Sequence, residues 1–314
     1  VNVALCLMAY GATVAVFGPP VLRGLTRRGV APRLSVAAWL VAIGGALAAW
    51  VLAAVLLVVE FTTVQGHSAA ALRACFSVLS TPVLLDSVWW ERIALYALAG
   101  AVATGAVAAT LRTVWVAWRM RRRTIAYGAA VRMVGRRVPG LGALVLDSPE
   151  RQAYCVAGRP DTIVVTSAAV DALTREQLDA VLAHEHAHLR GRHAPLSALL
   201  RALSSTLPLR LLRQGSAEIG RLLEMCADDR AARAHGREPL LGGMLALAGG
   251  RAMPAGALGA AGTAVLVRAE RLATPVGRMH RVTNRTALLG VIAATVIGLV
   301  EIALGIMMCS VLIR

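Results

Sequence analysis

Uncharged apolar blocks alternate with arginine-rich stretches along this chain, and that alternation sets its architecture. Val1 to Leu22 carries no charge, and neither does Leu34 to Val59 or Ile93 to Leu111. The third run continues through Trp115 and Trp118, and Thr286 to Ile313 is interrupted only by Glu301. A helix needs roughly 20 apolar residues to cross about 30 Å of hydrocarbon, and each block is long enough. Trp39, Trp50, Trp89, Trp90, Trp115 and Trp118 mostly fall near block ends, where interfacial indoles sit. The pattern predicts four transmembrane helices, at about 1–22, 34–59, 93–118 and 286–314. Between them lie a basic loop at 23–33, a short loop at 60–92 and one large segment, 119–285.

Composition supports the membrane reading. The chain has 314 residues, 57% hydrophobic and only 16% charged, and a mean hydropathy of +0.66, too apolar for a soluble domain. The first block is followed, not preceded, by Arg23, Arg27, Arg28 and Arg33. A cleavable signal peptide has the opposite polarity, so the block reads as an uncleaved anchor with its N-terminus outside. Alternation then puts 23–33 and 119–285 in the cytoplasm and the C-terminus outside. Arg119, Arg121, Arg122 and Arg123 open the large segment and place it there independently. The expectation is a multi-pass plasma-membrane protein.

Net charge is +16, and all 33 basic residues are arginine. The absence of lysine fits a GC-rich coding bias, but the clustering beside spans favours the lipid bilayer's anionic headgroups as partner over direct nucleic-acid binding. Cys6, Cys75, Cys155, Cys226 and Cys309 are scattered without a C-x-x-C pair and suggest no disulfide framework. Glu301, in the middle of the last block, is costly in lipid and should face the helix bundle.

The large segment carries the chemistry. Arg151 to Ala157 and Thr162 to Thr166 read as short strands, and Ser167 to Ala172 as a turn of helix. Thr174 with Gln177 three residues later is a capping box that starts the next helix, which ends near Gly191. That helix holds His184-Glu185-His186-Ala187-His188, an H-E-x-x-H motif. Two imidazoles at i and i+4 face the same way and can grip one Zn²⁺, with Glu185 placed to take a proton from water. Arg175, Glu176, Asp179, Arg190 and Arg192 crowd this helix, so it lies in water or at the membrane surface, outside the bilayer. His186 points away from the pair, and His193 reads as a charge beyond the helix's C-terminus. An apolar helix from Ala194 to Arg213, punctuated by Pro208, is expected to lie along the membrane. A second strong helix follows Gly215, and Glu224 and Asp228 share a face there. Glu224 can complete a zinc shell while Asp228 holds a ligand imidazole's N–H. Pro239 to Val267 reads as helix, loop and helix.

The run Thr174 to His193, followed by Glu224-Met225-Cys226-Ala227-Asp228-Asp229, resembles the membrane gluzincins. Three blocks before the zinc segment and one after it resemble the BlaR/MecR-type antirepressor metallopeptidases. In residues the likeness is specific over about 151–232. It implies a mainly α integral membrane fold, with a cytoplasmic α+β gluzincin domain inserted between the third and fourth transmembrane helices. It implies one Zn²⁺ held by His184, His188 and Glu224, with Glu185 as general base and Asp228 behind the ligands. It implies a substrate edge strand at Tyr154, Cys155, Val156 and Ala157, which takes up a peptide by strand addition. An oxyanion donor is also expected. Arg271 is a candidate, its alternative being an ordinary juxtamembrane arginine. The implied substrate is a cytoplasmic protein, a winged-helix repressor in the signalling branch, and a homo-oligomer is compatible with the sequence. The HtpX-like relatives instead suggest quality control of membrane proteins, and a zinc-stabilised scaffold is the non-enzymatic alternative. The chain as given has no penicillin-binding sensor domain, so β-lactam sensing is not part of the expectation.

Overall fold

Two long apolar helices open the chain, α1 (Asn2–Thr26) and α2 (Pro32–Thr63). In this computed structural model the described residues are 2–63, 89–156, 158, 160–249, 260–274 and 277–312. Most of the expected 60–92 loop therefore lies outside the described residues, as does Ala157. The turn between α1 and α2 depends on Gly29, whose φ of +58° is left-handed and whose missing Cβ makes room for the Met225 sulfur.

A third helix, α3 (Trp89–Val134), runs without a break through the expected third span and 16 residues beyond position 118. It delivers the chain to a four-stranded sheet: β1 (Arg136–Arg137), β2 (Leu144–Leu146), β3 (Ala153–Val156) and β4 (Thr162–Thr166). The strand order is β1-β2-β4-β3. β2 runs parallel to β4, and β3 runs antiparallel to it with Tyr154 opposite Val164 and Cys155 opposite Ile163. β3 and β4 follow the two expected β-runs, while β1 and β2 were not foreseen. The alternation of β4 puts Ile163 and Val165 against Leu178, Val181 and Leu182, and Val164 against Val131 of α3.

Six more helices follow among the described residues: α4 (Ser167–Ala172), α5 (Arg175–Arg190), α6 (His193–Thr206), α7 (Arg210–His235), α8 (Arg237–Ala248) and α9 (Ala260–Ala273). The Thr174–Gln177 capping box is formed in both directions. The helix expected at 194–213 is broken at Leu207, because Pro208 cannot supply the N–H that would carry it on, and α7 starts at Arg210. α6 packs between α3 and α7. The last helix, α10 (Arg278–Leu312), returns to α1 and α2.

Three helices among the described residues are long and apolar enough to cross a membrane: Val3–Thr26, Pro32–Leu57 and Arg278–Leu304. They mark a membrane protein. The apolar part of α3 still shows a lipid-like surface, with Val107, Leu111, Val114, Trp115 and Trp118 all about half exposed or more. Arg119 and Arg122 stack on those two indoles, at 5.2 and 4.1 Å from the ring centres. Glu301 is exposed on α10.

The main core crosses the expected domain boundary. Trp39, Ala42 and Ile43 of α2 pack with Leu211, Leu212, Ile219, Leu222 and Met225 of α7 and Leu288 of α10. Gly215 lets α7 approach closely, since a Cβ there would strike Ile43 and Trp39. Further along, Ala49 and Ala53 of α2 pack on Ala4 and Leu7 of α1.

Candidate metal centre

The capping box fixes the start of α5, and two turns later its inner face presents His184 and His188. Their Nε2 atoms lie 3.0 Å apart. α7 crosses this face and brings Glu224, with Oε2 3.6 Å from His184 Nε2 and Oε1 3.5 Å from His188 Nε2. Zinc at roughly 2.0–2.1 Å from each donor would separate tetrahedral ligands by about 3.3 Å. The three donors therefore fit one zinc ion. Among the described residues, they are the group of three or more His, Cys, Asp or Glu side chains able to hold a metal.

The outer ring nitrogens are also met. Asp228 is fully buried, with Oδ1 3.1 Å from His184 Nδ1. The separation suits a hydrogen bond but the approach is off-axis, so that nitrogen has no fully formed bond. Arg268 grips the same carboxylate from α9, Nε to Oδ2 at 2.8 Å and Nη2 to Oδ1 at 2.6 Å. Its Nη1 reaches Glu224 Oε2 at 2.9 Å. Behind His188, the Nδ1 of His193 lies 2.9 Å from His188 Nδ1. The pairing suits a neutral His188 that donates from Nδ1 and keeps Nε2 for the metal.

His193 is thus not a charge beyond the helix. Burial draws its pKa down and favours the neutral ring. The turn that folds it back is local: α5 ends on Gly191, where a Cβ would hit the His193 ring, and Arg192 adopts left-handed φ 50°, ψ 40°. His186 is exposed and bonds only the Leu182 carbonyl, as its position on the helix predicts.

Charge at the site is strongly redistributed. Burial disfavours a charged His184, but the Asp228 and Glu224 carboxylates outweigh it and hold the ring up at about 9. Burial takes His188 down to about 4. Burial would also raise Glu224 and Asp228, yet His184 and Arg268 together hold each at about 2. Glu185 shifts upward, first through burial, against the pull of His184 and of the Cys155 thiol and N–H that bond it. Burial and the Glu185 charge push the Cys155 thiol up to about 12.

Two cavities flank the triad. One of about 360 Å³ is lined by Tyr154, Val181, Glu185, Leu240, Met244 and Arg268. The other, of about 570 Å³, lies beside His188 and is lined by Cys155, His193, Ser197 and Arg201. β3 borders both, and it is the edge strand of the sheet. Tyr154 is tied to α3 through a 2.9 Å hydroxyl contact with Tyr127.

Residues 130–220 match the model of Peptidase family M48. The segment is thus similar to the M48 metallopeptidases, a zinc-dependent family, and His184, His188 and Glu224 form a group able to hold such an ion. It covers the sheet, His184, Glu185 and His188, and stops before Glu224. No curated protein and no solved structure matches the chain.

In this M48-like domain one expected residue is displaced by a neighbour. Arg271 does not reach the site: its guanidinium binds the Gly29 carbonyl at 2.8 Å and Asp229 Oδ1 at 2.7 Å. Arg268, one turn earlier on α9, is the arginine that lines the cavity with Glu185. Nothing local in the sequence distinguishes them. The signal that separates them is the spacing on α7, where Asp228 faces the histidines and Asp229 faces the α1–α2 turn.

Proposed function

We propose that this protein is a membrane-bound zinc endopeptidase that cuts a cytoplasmic protein in regulated signalling, with a winged-helix transcriptional repressor as the substrate class. The observation that carries the peptidase reading is the convergence of His184, His188 and Glu224 at tetrahedral-edge distances, with Glu185 in the adjoining cavity beside an edge strand. His184, His188 and Glu224 would hold zinc, which when bound supplies Lewis-acid polarisation of a carbonyl and a lowered pKa for water.

The chain's own groups supply the rest. β3 is the outermost strand, beside which an extended peptide adds its main chain to the sheet. Glu185 takes a proton from the attacking water and passes it to the leaving amine; its upward-shifted pKa suits both steps. Because Glu185 borders the cavity with Val181, Leu240 and Met244, the residue that follows the scissile bond sits there. Arg268 keeps positive charge at the edge of this cavity, while Asp228 and His193 hold the ligand rings. The loop at 23–33 lies on the peptidase side of the molecule, which favours the cytoplasmic placement expected from its arginines.

The test compares full-length wild type with Glu185→Gln in lipid nanodiscs, offered cytoplasmic extract and analysed for new protein N-termini. Cleavage by wild type should fall by about 10²-fold or more in the variant. If wild type cleaves nothing that the variant spares, itself included, the peptidase reading fails. A single clipped repressor supports signalling, whereas broad clipping of misfolded membrane proteins supports the quality-control alternative instead.

A further inference from the structure

We infer that Arg271 is a positioning residue that makes the turn between the first two membrane helices part of the metal site. The inference rests on the zinc reading above. α9 carries two arginines three residues apart, and each clamps one of two consecutive aspartates on the zinc-ligand helix α7: Arg268 holds Asp228, and Arg271 holds Asp229. The apolar anchor beside them is Leu272, buried with Ala180, Ala231 and Leu240. Of the two clamps, only the first touches a metal-ligand side chain.

The second clamp reaches further. Arg271 Nε donates to the Gly29 carbonyl at 2.8 Å. α7 holds the same turn: Arg221, one turn before Glu224, donates to the Thr26 carbonyl at 2.9 Å and the Arg27 carbonyl at 3.2 Å. Gly29 itself packs on Met225, the residue after Glu224, and Met225 is fully buried. α10 adds Asn284, which donates to the Leu25 carbonyl at 2.7 Å. The last carbonyls of a helix have no intrahelical partner. Here the Thr26 carbonyl that ends α1 and the Arg27 and Gly29 carbonyls of the turn accept from side chains of α7 and α9, and the Leu25 carbonyl accepts from α10.

The turn therefore works as a template that both α7 and α9 must fit. Glu224 rides on α7 and Arg268 on α9, so the 2.9 Å contact between them depends on the register of those two helices. A guanidinium suits this because its rigid fork satisfies an aspartate and a carbonyl at once, whereas an ammonium is a point donor on a flexible stem. Without Arg271, α9 loses its link to the turn, Arg268 loosens over Glu224 and Asp228, and the zinc ligands lose part of their support.

The experiment loads the full-length protein with zinc in nanodiscs and follows release to a colorimetric chelator at 25 °C. Arg271→Gln should release zinc about tenfold faster, in the range expected for an outer partner of a metal ligand. Arg271→Lys should fall between the two, and Arg278→Gln, an exposed arginine at the start of α10, should match wild type. Gly29→Ala should also speed release, and the double variant with Arg271→Gln should be no faster than the faster single one. A purely structural role would lower the thermal midpoint without changing release at 25 °C. Release from Arg271→Gln within twofold of wild type, or effects that multiply in the double variant, overturns the inference alone. A wild type that takes up no zinc overturns the metal reading and this inference with it.

Discussion

His193 stands 2.9 Å from His188, ring nitrogen to ring nitrogen, across a turn only four residues long. The contact fixes which nitrogen of His188 faces Glu224. His193→Ala should weaken zinc affinity by about 10–100-fold, while His193→Asn recovers part of it by offering a carbonyl oxygen. Competition with a calibrated chelator measures both, and a His193→Ala affinity equal to wild type would remove His193 from the site.

Zinc affinity should also depend on pH with a defined sign. His184 titrates at about 9 in the metal-free protein, so at neutral pH a proton occupies the nitrogen that zinc needs. His188, at about 4, is already neutral there. Raising the pH removes the competing proton, so apparent affinity should rise about tenfold per unit and level off above pH 9. Calorimetry in buffers of different ionisation enthalpy should show about one proton released per zinc near pH 7. No proton release would contradict the Asp228 and Glu224 hold on His184.

Cys155 links the edge strand to Glu185, the proposed general base. Its thiol and N–H bond the Glu185 carboxylate and oppose the upward shift caused by burial. In Cys155→Ala the thiol is gone, so the Glu185 pKa rises and the acid limb of kcat/KM moves to higher pH, by less than about one unit. Cys155→Ser should stay near wild type. A limb that moves to lower pH in Cys155→Ala would show that the thiol does not support the charged carboxylate.

Arg192 carries backbone strain, with φ 50° and ψ 40°. Left-handed geometry costs a non-glycine residue about 1–2 kcal/mol, and glycine returns about 0.5–1 kcal/mol of that as chain entropy. Arg192→Gly should therefore raise stability by roughly 0.5–1 kcal/mol and move the thermal midpoint up. A lower midpoint would mean the arginine side chain contributes more than its backbone costs.

What could be read from the sequence was local. The Thr174–Gln177 box, the i, i+4 histidines and the Glu224–Asp228 pair are short-range patterns with one physical meaning each, and the structure forms these local arrangements. β2 escaped because a three-residue strand has too little alternation to register, and it pairs in parallel with a strand about 20 residues away. Arg268 escaped because it acts 84 residues from His184, with an equally plausible arginine one turn on. His193 was misread because its role depends on the left-handed Arg192, which no propensity favours. The span expected at 93–118 shows a different limit: hydropathy marks where α3 is apolar, but the helix continues well past that point and is not among the three candidate spans.

Trp39 and Ile43 share an interior with Leu212, Ile219 and Leu222. A fragment cut free at residue 119 would leave one whole flank of α7 facing water on the helix that carries Glu224. Burying such side chains is worth about 1.5–3 kcal/mol each, an appreciable part of a domain's net stability. The first two helices thus do more than tether a separate enzyme, for they complete its folding unit. Soluble truncations of this protein will report on a damaged particle.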